Sequence, residues 1–264
     1  MPLPVTILVI SLAWLAWAWA ASRLMDNPRK DARWGILFAV GTAYVHLVHR
    51  LRVEGRQHIP GTTNPGALIV VVNHTAGIDP VLVQAACPFE IRWMMAKDMM
   101  LPGLDWVWKW LSVIGVDRQS PRGDPASARE ALRHLQSGGV LGIFPEGAIE
   151  RPPRRLLAFM PGIGLLVKKS RARVLPVIVD GTPESLAAWG SLWRFSHSRV
   201  RMLPIVSYEG TTLSAEAIAA DLHRRYAECT GWSEPDAPAR EGARQPAAPE
   251  LAAKPQQPQP AARG

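Results

Sequence analysis

The sequence predicts an α/β domain, a mixed sheet covered by helices, carried on an N-terminal pair of membrane helices. Three observations support that class: an uncharged run near the N-terminus, a shorter apolar run behind it, and from residue 59 onward brief apolar segments alternating with helical ones. The boundaries expected from this pattern are 1–58 for the membrane-anchoring helices, 59–232 for the α/β domain and 233–264 for a Pro/Ala/Gln-rich tail.

Residues 3–22 carry no charge. At a rise of about 1.5 Å per residue, such a run crosses a hydrocarbon core of about 30 Å. Ala18-Trp19-Ala20 raises the competing reading of a cleaved signal peptide, but no lysine or arginine precedes the run and Trp14, Trp17 and Trp19 lie inside it. Arg23, Arg29, Lys30 and Arg33 follow at once, and the bias of positive charge toward cytoplasmic flanks places that side inside. The second apolar run, 34–48, is short for a span, and crossing would leave the basic linker outside. It is expected to dip into the membrane or lie on it, with the following domain cytoplasmic. His46 and His49 share a helical face, but without a third ligand nearby they predict no metal site.

Beyond residue 58, the apolar runs 67–72, 91–96, 140–144, 174–179 and 200–205 read as strands. Between them, 80–86, 104–111, 125–136, 163–169 and 214–229 read as helices. The tail holds seven prolines, a single leucine and no aromatic residue, too little apolar surface to offset its ordering entropy, and is expected to be disordered. Two distant cysteines give no disulfide framework. A net charge of +8 with eleven tryptophans suits a membrane surface; nucleic acid, the other partner of a basic chain, is not expected because no binding motif is present.

Asn73-His74-Thr75-Ala76-Gly77-Ile78-Asp79-Pro80 directly follows the first apolar run. A neutral imidazole accepts a proton near pH 7, and a carboxylate on its other nitrogen fixes the tautomer and stabilises the imidazolium. Residues five apart on a regular helix diverge by about 140°, so a His74–Asp79 pair needs a bent segment, which Gly77 permits. Asp79-Pro80 also reads as an N-cap followed by proline at the first helical position, and the plain alternative is that Asp79 only caps and His74 only occupies a turn. There is no Gly-x-Ser-x-Gly elbow, and neither Cys87 nor Cys229 has a nucleophile context. The chemistry expected of the pair is therefore activation of a substrate hydroxyl, not covalent catalysis.

Four stretches in order, Asn73-His74 with Asp79, Gly115-Val116-Asp117-Arg118, Phe144-Pro145-Glu146-Gly147 and Val174-Leu175-Pro176-Val177-Ile178, resemble the motifs of the glycerolipid acyltransferases over about residues 50–210. Ala96-Lys97 and Phe159 to Gly162 sit where that family has similar residues. The resemblance implies a glycerol-3-phosphate acyltransferase-like fold with an N-terminal two-helix membrane motif. It implies His74 as base and Asp79 as its orienting acid, with Arg118, Glu146, Gly147 and Lys97 binding the acceptor and Arg118 in its phosphate site. No cofactor is expected, acyl-CoA or acyl carrier protein being the donor co-substrate. The partners implied are the bilayer and a lysophospholipid, and the location the inner, cytoplasmic membrane.

The chain departs from the family after Gly147, where a hydroxyl residue and an arginine are usual and Ala148-Ile149-Glu150-Arg151 stands instead. Met160-Pro161 likewise stands where lysine is common. Arg151, Arg154 and Arg155 are candidates for the displaced charge, or for a solvated face that meets anionic lipid. Trp106, Trp108 and Trp110 with Met94, Met95, Met99 and Met100 read first as core and second as an acyl-chain tunnel or membrane-facing rim. The expected function is acyl transfer from a thioester to the free hydroxyl of 1-acylglycerol 3-phosphate. The alternatives are the same chemistry on another lysophospholipid or hydroxylated lipid and, more distantly, a lipid hydrolase or a non-catalytic membrane scaffold.

Overall fold

The computed structural model describes residues 2–118, 124–185 and 187–232; the expected disordered tail lies outside them. Helix α1 (Leu3–Met25) buries no residue and is the one helix, among the described residues, long and apolar enough to cross a bilayer. Asp31 caps helix α2 (Ala32–Val48), its side chain accepting from Arg33 N. The turn between them is tied by Asn27, whose Nδ2 donates to Leu24 O (2.7 Å) and Asp31 O (2.9 Å).

Helix α2 is fastened to the domain at both ends. Before its start, Arg29 forks onto Glu90 (Nε to Oε2, 2.8 Å) and lies 4.1 Å over the Trp34 ring. After its end, His49 Nδ1 shares a hydrogen bond with Ser196 Oγ (2.8 Å) and Ser198 N donates to His49 O (2.9 Å). Arg29, read from sequence as a charge flanking a membrane span, is thus half-buried glue between the helix pair and the domain. Close packing of the two helices depends on Gly35, where a Cβ would stand 1.9 Å from Leu24 O. Gly35→Val is expected to cost about 1–3 kcal/mol by overpacking, seen as a lowered unfolding temperature of the detergent-solubilised protein.

The sheet comprises β1 (Arg52–Glu54), β2 (Leu68–Val72), β3 (Arg92–Ala96), β4 (Ile114–Val116), β5 (Val140–Ile143), β6 (Arg173–Asp180) and β7 (Arg199–Met202) in the order β1-β7-β6-β2-β5-β3-β4. From β6 to β4 all pairs are parallel; β7 runs antiparallel to β6 and parallel to β1, making the sheet mixed. The helices over it are α3 (Asp79–Ala86), α4 (Asp105–Trp110), α5 (Pro125–Gln136), α6 (Gly162–Ser170) and α7 (Ala215–Thr230). Edge strand β1 lies ahead of the expected boundary at residues 58 and 59 and pairs with β7 in the sheet.

The central strand β2, Leu-Ile-Val-Val-Val, is buried throughout, as a parallel strand covered on both faces must be. Leu68, Val70 and Val72 join Leu175, Val177 and Val179 beneath α2 and α3, while Ile69 and Val71 face α5, α6 and α7. Pro176 in β6 has no N–H to give to the ladder. Beside it the fully buried Tyr226 of α7 donates to Val71 O (2.6 Å) and accepts from Val177 N (2.9 Å).

Candidate active site

The chemistry-bearing stretches converge because they follow the carboxyl ends of adjacent parallel strands: Asn73-His74 after β2, Lys97 after β3, Asp117-Arg118 after β4 and Phe144 to Gly147 after β5. Ligands of open parallel sheets bind at that edge. A cavity of about 1820 Å³ opens there, walled by α2 at Trp34 and Phe38, by His74, and by Leu165 and Leu166 of α6. It exceeds the roughly 300–1,000 Å³ of a small-molecule pocket.

The segment between β2 and α3 bends sharply enough to bring His74 Nδ1 within 3.0 Å of Asp79 Oδ2. A carboxylate only accepts, so Nδ1 carries the proton and Nε2 is left as the basic nitrogen. Asp79 is fully buried and is held by Thr75 N (2.7 Å) and Ala76 N (2.9 Å) on Oδ2 and by Thr75 Oγ1 (3.2 Å) on Oδ1. It is not the cap expected from sequence. Helix α3 begins at Asp79 itself, Ile78 occupies the cap position, and the carboxylate reaches back to the loop instead of forward to the first turn. The His74 ring stacks on Phe144 (centroids 4.0 Å apart, planes at 19°), and Phe144 stacks on Trp93 (5.2 Å, 16°).

The peptide of His74 is gripped from both sides by the loop after β5. Its N–H donates to Glu146 Oε1 (3.1 Å), and its C=O accepts from Glu150 N (2.7 Å). The other Glu146 oxygen accepts from Leu157 N (3.2 Å). Glu150 accepts from Asn73 Nδ2 (3.1 Å) and Arg154 N (3.1 Å), and Asn73 in turn pairs with both polar groups of Val179, as a strand would. Burial, with Glu150 close by, holds the Glu146 carboxyl well above the usual carboxylate range. Burial likewise pushes Glu150 up to about 7, against the opposing donation from Asn73. Asn73 as a bridge and Glu150 as a buried acid were both missed in sequence, where Glu150 stands directly before Arg151, with Arg154 and Arg155 close behind, and reads as a solvated charge.

The other expected residues are placed as follows. Gly147 has φ +71° and a Cβ there would meet Met160 Sδ at 2.8 Å, so glycine suits both backbone and space. Arg118 lines the cavity and is ion-paired with Asp98. Lys97 is outside the cavity wall, more than half exposed and 3.8 Å from Asp124. Arg151 donates to Ser185 O and Arg154 pairs with Asp180 (3.1 Å); neither lines the cavity, so neither replaces the displaced charge. The tryptophans of α4 are not core: Trp106 is 68% exposed, Trp108 lines the cavity and Trp110 meets Trp34 edge to face.

An imidazole–carboxylate pair at the carboxyl edge of a mixed sheet, opening on an oversized apolar cavity, is the arrangement of an acyl-transfer domain. Residues 50–180, which span β1 through β6, match the family described as Acyltransferase, and the chain belongs to that family. It is 32% identical over 137 residues to the 1-acyl-sn-glycerol-3-phosphate acyltransferase of Borreliella burgdorferi, covering 50% of this chain and 52% of that protein. To the protein of the same name from Helicobacter pylori it is 24% identical over 120 residues, 45% of this chain and 51% of the relative. The chain thus spans about half the length of the curated relatives it matches. The solved structure of the 1-acyl-sn-glycerophosphate acyltransferase PlsC from Thermotoga maritima shares the fold, with a TM-score of 0.58, 24% identity and coverage of 77% of this chain and 81% of that one.

Proposed function

We propose that this protein moves a fatty acyl group from a thioester to the free hydroxyl of 1-acylglycerol 3-phosphate, giving phosphatidic acid at a membrane surface. The observation that carries the reading is His74 Nδ1 on the buried Asp79 at 3.0 Å, with the imidazole in the wall of the large apolar cavity. Nε2 takes the hydroxyl proton as the oxygen attacks the thioester carbonyl. The tetrahedral intermediate then expels the thiolate, which recovers that proton from the imidazolium. Asp79 stabilises the imidazolium between the two steps. Arg118 meets the acceptor phosphate, Lys97 adds positive charge at the rim, and Glu146 and Gly147 shape the acceptor's seat. Acyl-CoA or acyl carrier protein supplies the thioester. The exposed apolar α1 and the names of the relatives support a membrane location, with the domain on the cytoplasmic side.

One observation favours a second acceptor. Among the described residues, Arg118 is the only lysine or arginine in the cavity wall, against Asp117 and Asp124. That balance suits a lysophospholipid or hydroxylated lipid whose headgroup is less anionic than a phosphate monoester. Purified protein offered a panel of lysolipids, with products read by mass spectrometry, separates the two. Phosphatidic acid is the expected product, and failure with every phosphate-bearing acceptor rejects the first reading.

A further inference from the structure

Among the described residues, the most exposed large apolar side chains of the α/β domain are Trp193 (84%) and Phe195 (80%), two residues apart on the segment between β6 and β7. Trp193 ends a short 3-10 helix, Ala188–Trp193, that closes on the catalytic corner. A Cβ on Gly77 would meet Ala188 O at 2.3 Å, and Ala188, Trp189 and Leu192 line the cavity. Trp189 Nε1 donates to Met99 O (3.2 Å), and Tyr44 of α2 donates to Leu192 O. One side of this segment therefore faces the cavity, and the other carries two uncovered aromatics.

The aromatics do not stand alone. Ser196 N donates to Val48 O (3.2 Å), so Phe195 lies against the end of α2, whose outward stripe Ile36, Val40, Ala43 and Leu47 is also exposed. Exposed Arg33, Arg50 and Arg194 flank the combined patch, and Arg50 donates to His197 Nε2 (2.8 Å). No acidic residue occurs in 32–51 or in 185–198. An apolar surface of this extent, rimmed by arginine, with exposed Glu184 beside Arg194 as the nearest acid along the segment, is unfavourable in water and complementary to an anionic lipid leaflet. It also adjoins α1, the most apolar helix of the chain.

We infer that the 188–195 segment is a membrane-inserting lip: Trp193 and Phe195 sink into the boundary between headgroups and acyl chains of an anionic leaflet. Their insertion sets the cavity wall at Trp189 and Leu192 level with that boundary, so a lipid acceptor enters sideways without crossing water. The inference rests on the lipid-acylating reading for its consequence, though not for the insertion itself.

Labelling distinguishes the two. In a Cys229→Ser background, Trp193→Cys and Phe195→Cys variants carrying an environment-sensitive fluorophore are reconstituted in vesicles of phosphatidylcholine with phosphatidylglycerol. Cys87 is buried and stays unlabelled. Insertion predicts blue-shifted emission, quenching by nitroxide-bearing lipids and protection from aqueous iodide. A label on native Cys229, which is exposed on α7 over the opposite face of the sheet, is quenched by iodide. Equal iodide quenching at positions 193, 195 and 229 overturns the lip. The double variant Trp193→Ser/Phe195→Ser is expected to lose about tenfold in kcat/KM toward a bilayer-embedded acceptor, with turnover of a short-chain water-soluble acceptor unchanged; equal loss on both rejects the entry role. If wild type acylates neither acceptor, the proposed reaction fails while the labelling result still decides insertion.

Discussion

Replacing His74 with alanine is expected to lower kcat by about two to four orders of magnitude, the usual contribution of a positioned general base, while the domain stays folded. The structural side of that expectation follows from what the ring touches. His74 has one side-chain hydrogen bond, to Asp79, and one stacking partner, Phe144, and its side chain is 19% exposed. The hydrogen bonds that hold the corner run to its backbone, which alanine keeps. Asp79 also retains its three donors from Thr75 and Ala76. Loss of activity should therefore come without a comparable loss of stability, and an unfolding curve measured beside the turnover assay checks both. Activity within tenfold of wild type would remove His74 from the chemistry.

Much of this architecture was legible before the structure. The five apolar runs read as strands all are strands, and the five intervening helices form within a residue or so of their expected ends, because buried parallel strands and amphipathic helices leave strong periodic signals. β1 and β4 were missed because three residues are too few to show a period, and pairing with β7 and β3 alone defines them. Pro176 would argue against a central strand, and only the hydroxyl of Tyr226, fifty residues later, makes it tolerable there. His74 and Asp79 could be paired on paper because chemistry demands a partner for the imidazole. The grip on their corner could not: it uses backbone groups and two glutamates whose neighbours come from other strands. Arg29 was misplaced for the same reason, since its partner Glu90 is sixty-one positions away.

Burial of Glu150 is expected to make stability fall as pH rises from about 5 to about 7, against the opposite contribution of His49 and His134, whose imidazoles burial holds below the usual range, and Glu150→Gln should weaken that fall. Glu150 is fully buried and faces Asp79 and Glu146, with only neutral donors, Asn73 Nδ2 and the Arg154 and Arg155 amides, to oppose its charge. Its carboxyl is accordingly raised from 4.5 to about 7. Between those values the folded protein holds a proton that the unfolded chain has released, so unfolding becomes more favourable with each step upward in pH. The contribution is complete below about 4.5 and is lost as pH passes about 7. At about 1.4 kcal/mol per unit, the full span is on the order of 3 kcal/mol. Glu146, raised in the same direction, contributes too, so the variant should reduce the slope without abolishing it. Unfolding free energies of the solubilised protein between pH 5 and 8 test this; an identical slope in the two proteins would exclude Glu150 as its source. Turnover of the variant should change less than tenfold, because the bond to His74 O comes from the Glu150 backbone N–H, which glutamine keeps. A slope that flattens while catalysis persists would show that this buried acid limits the stability of the corner and leaves its chemistry to His74.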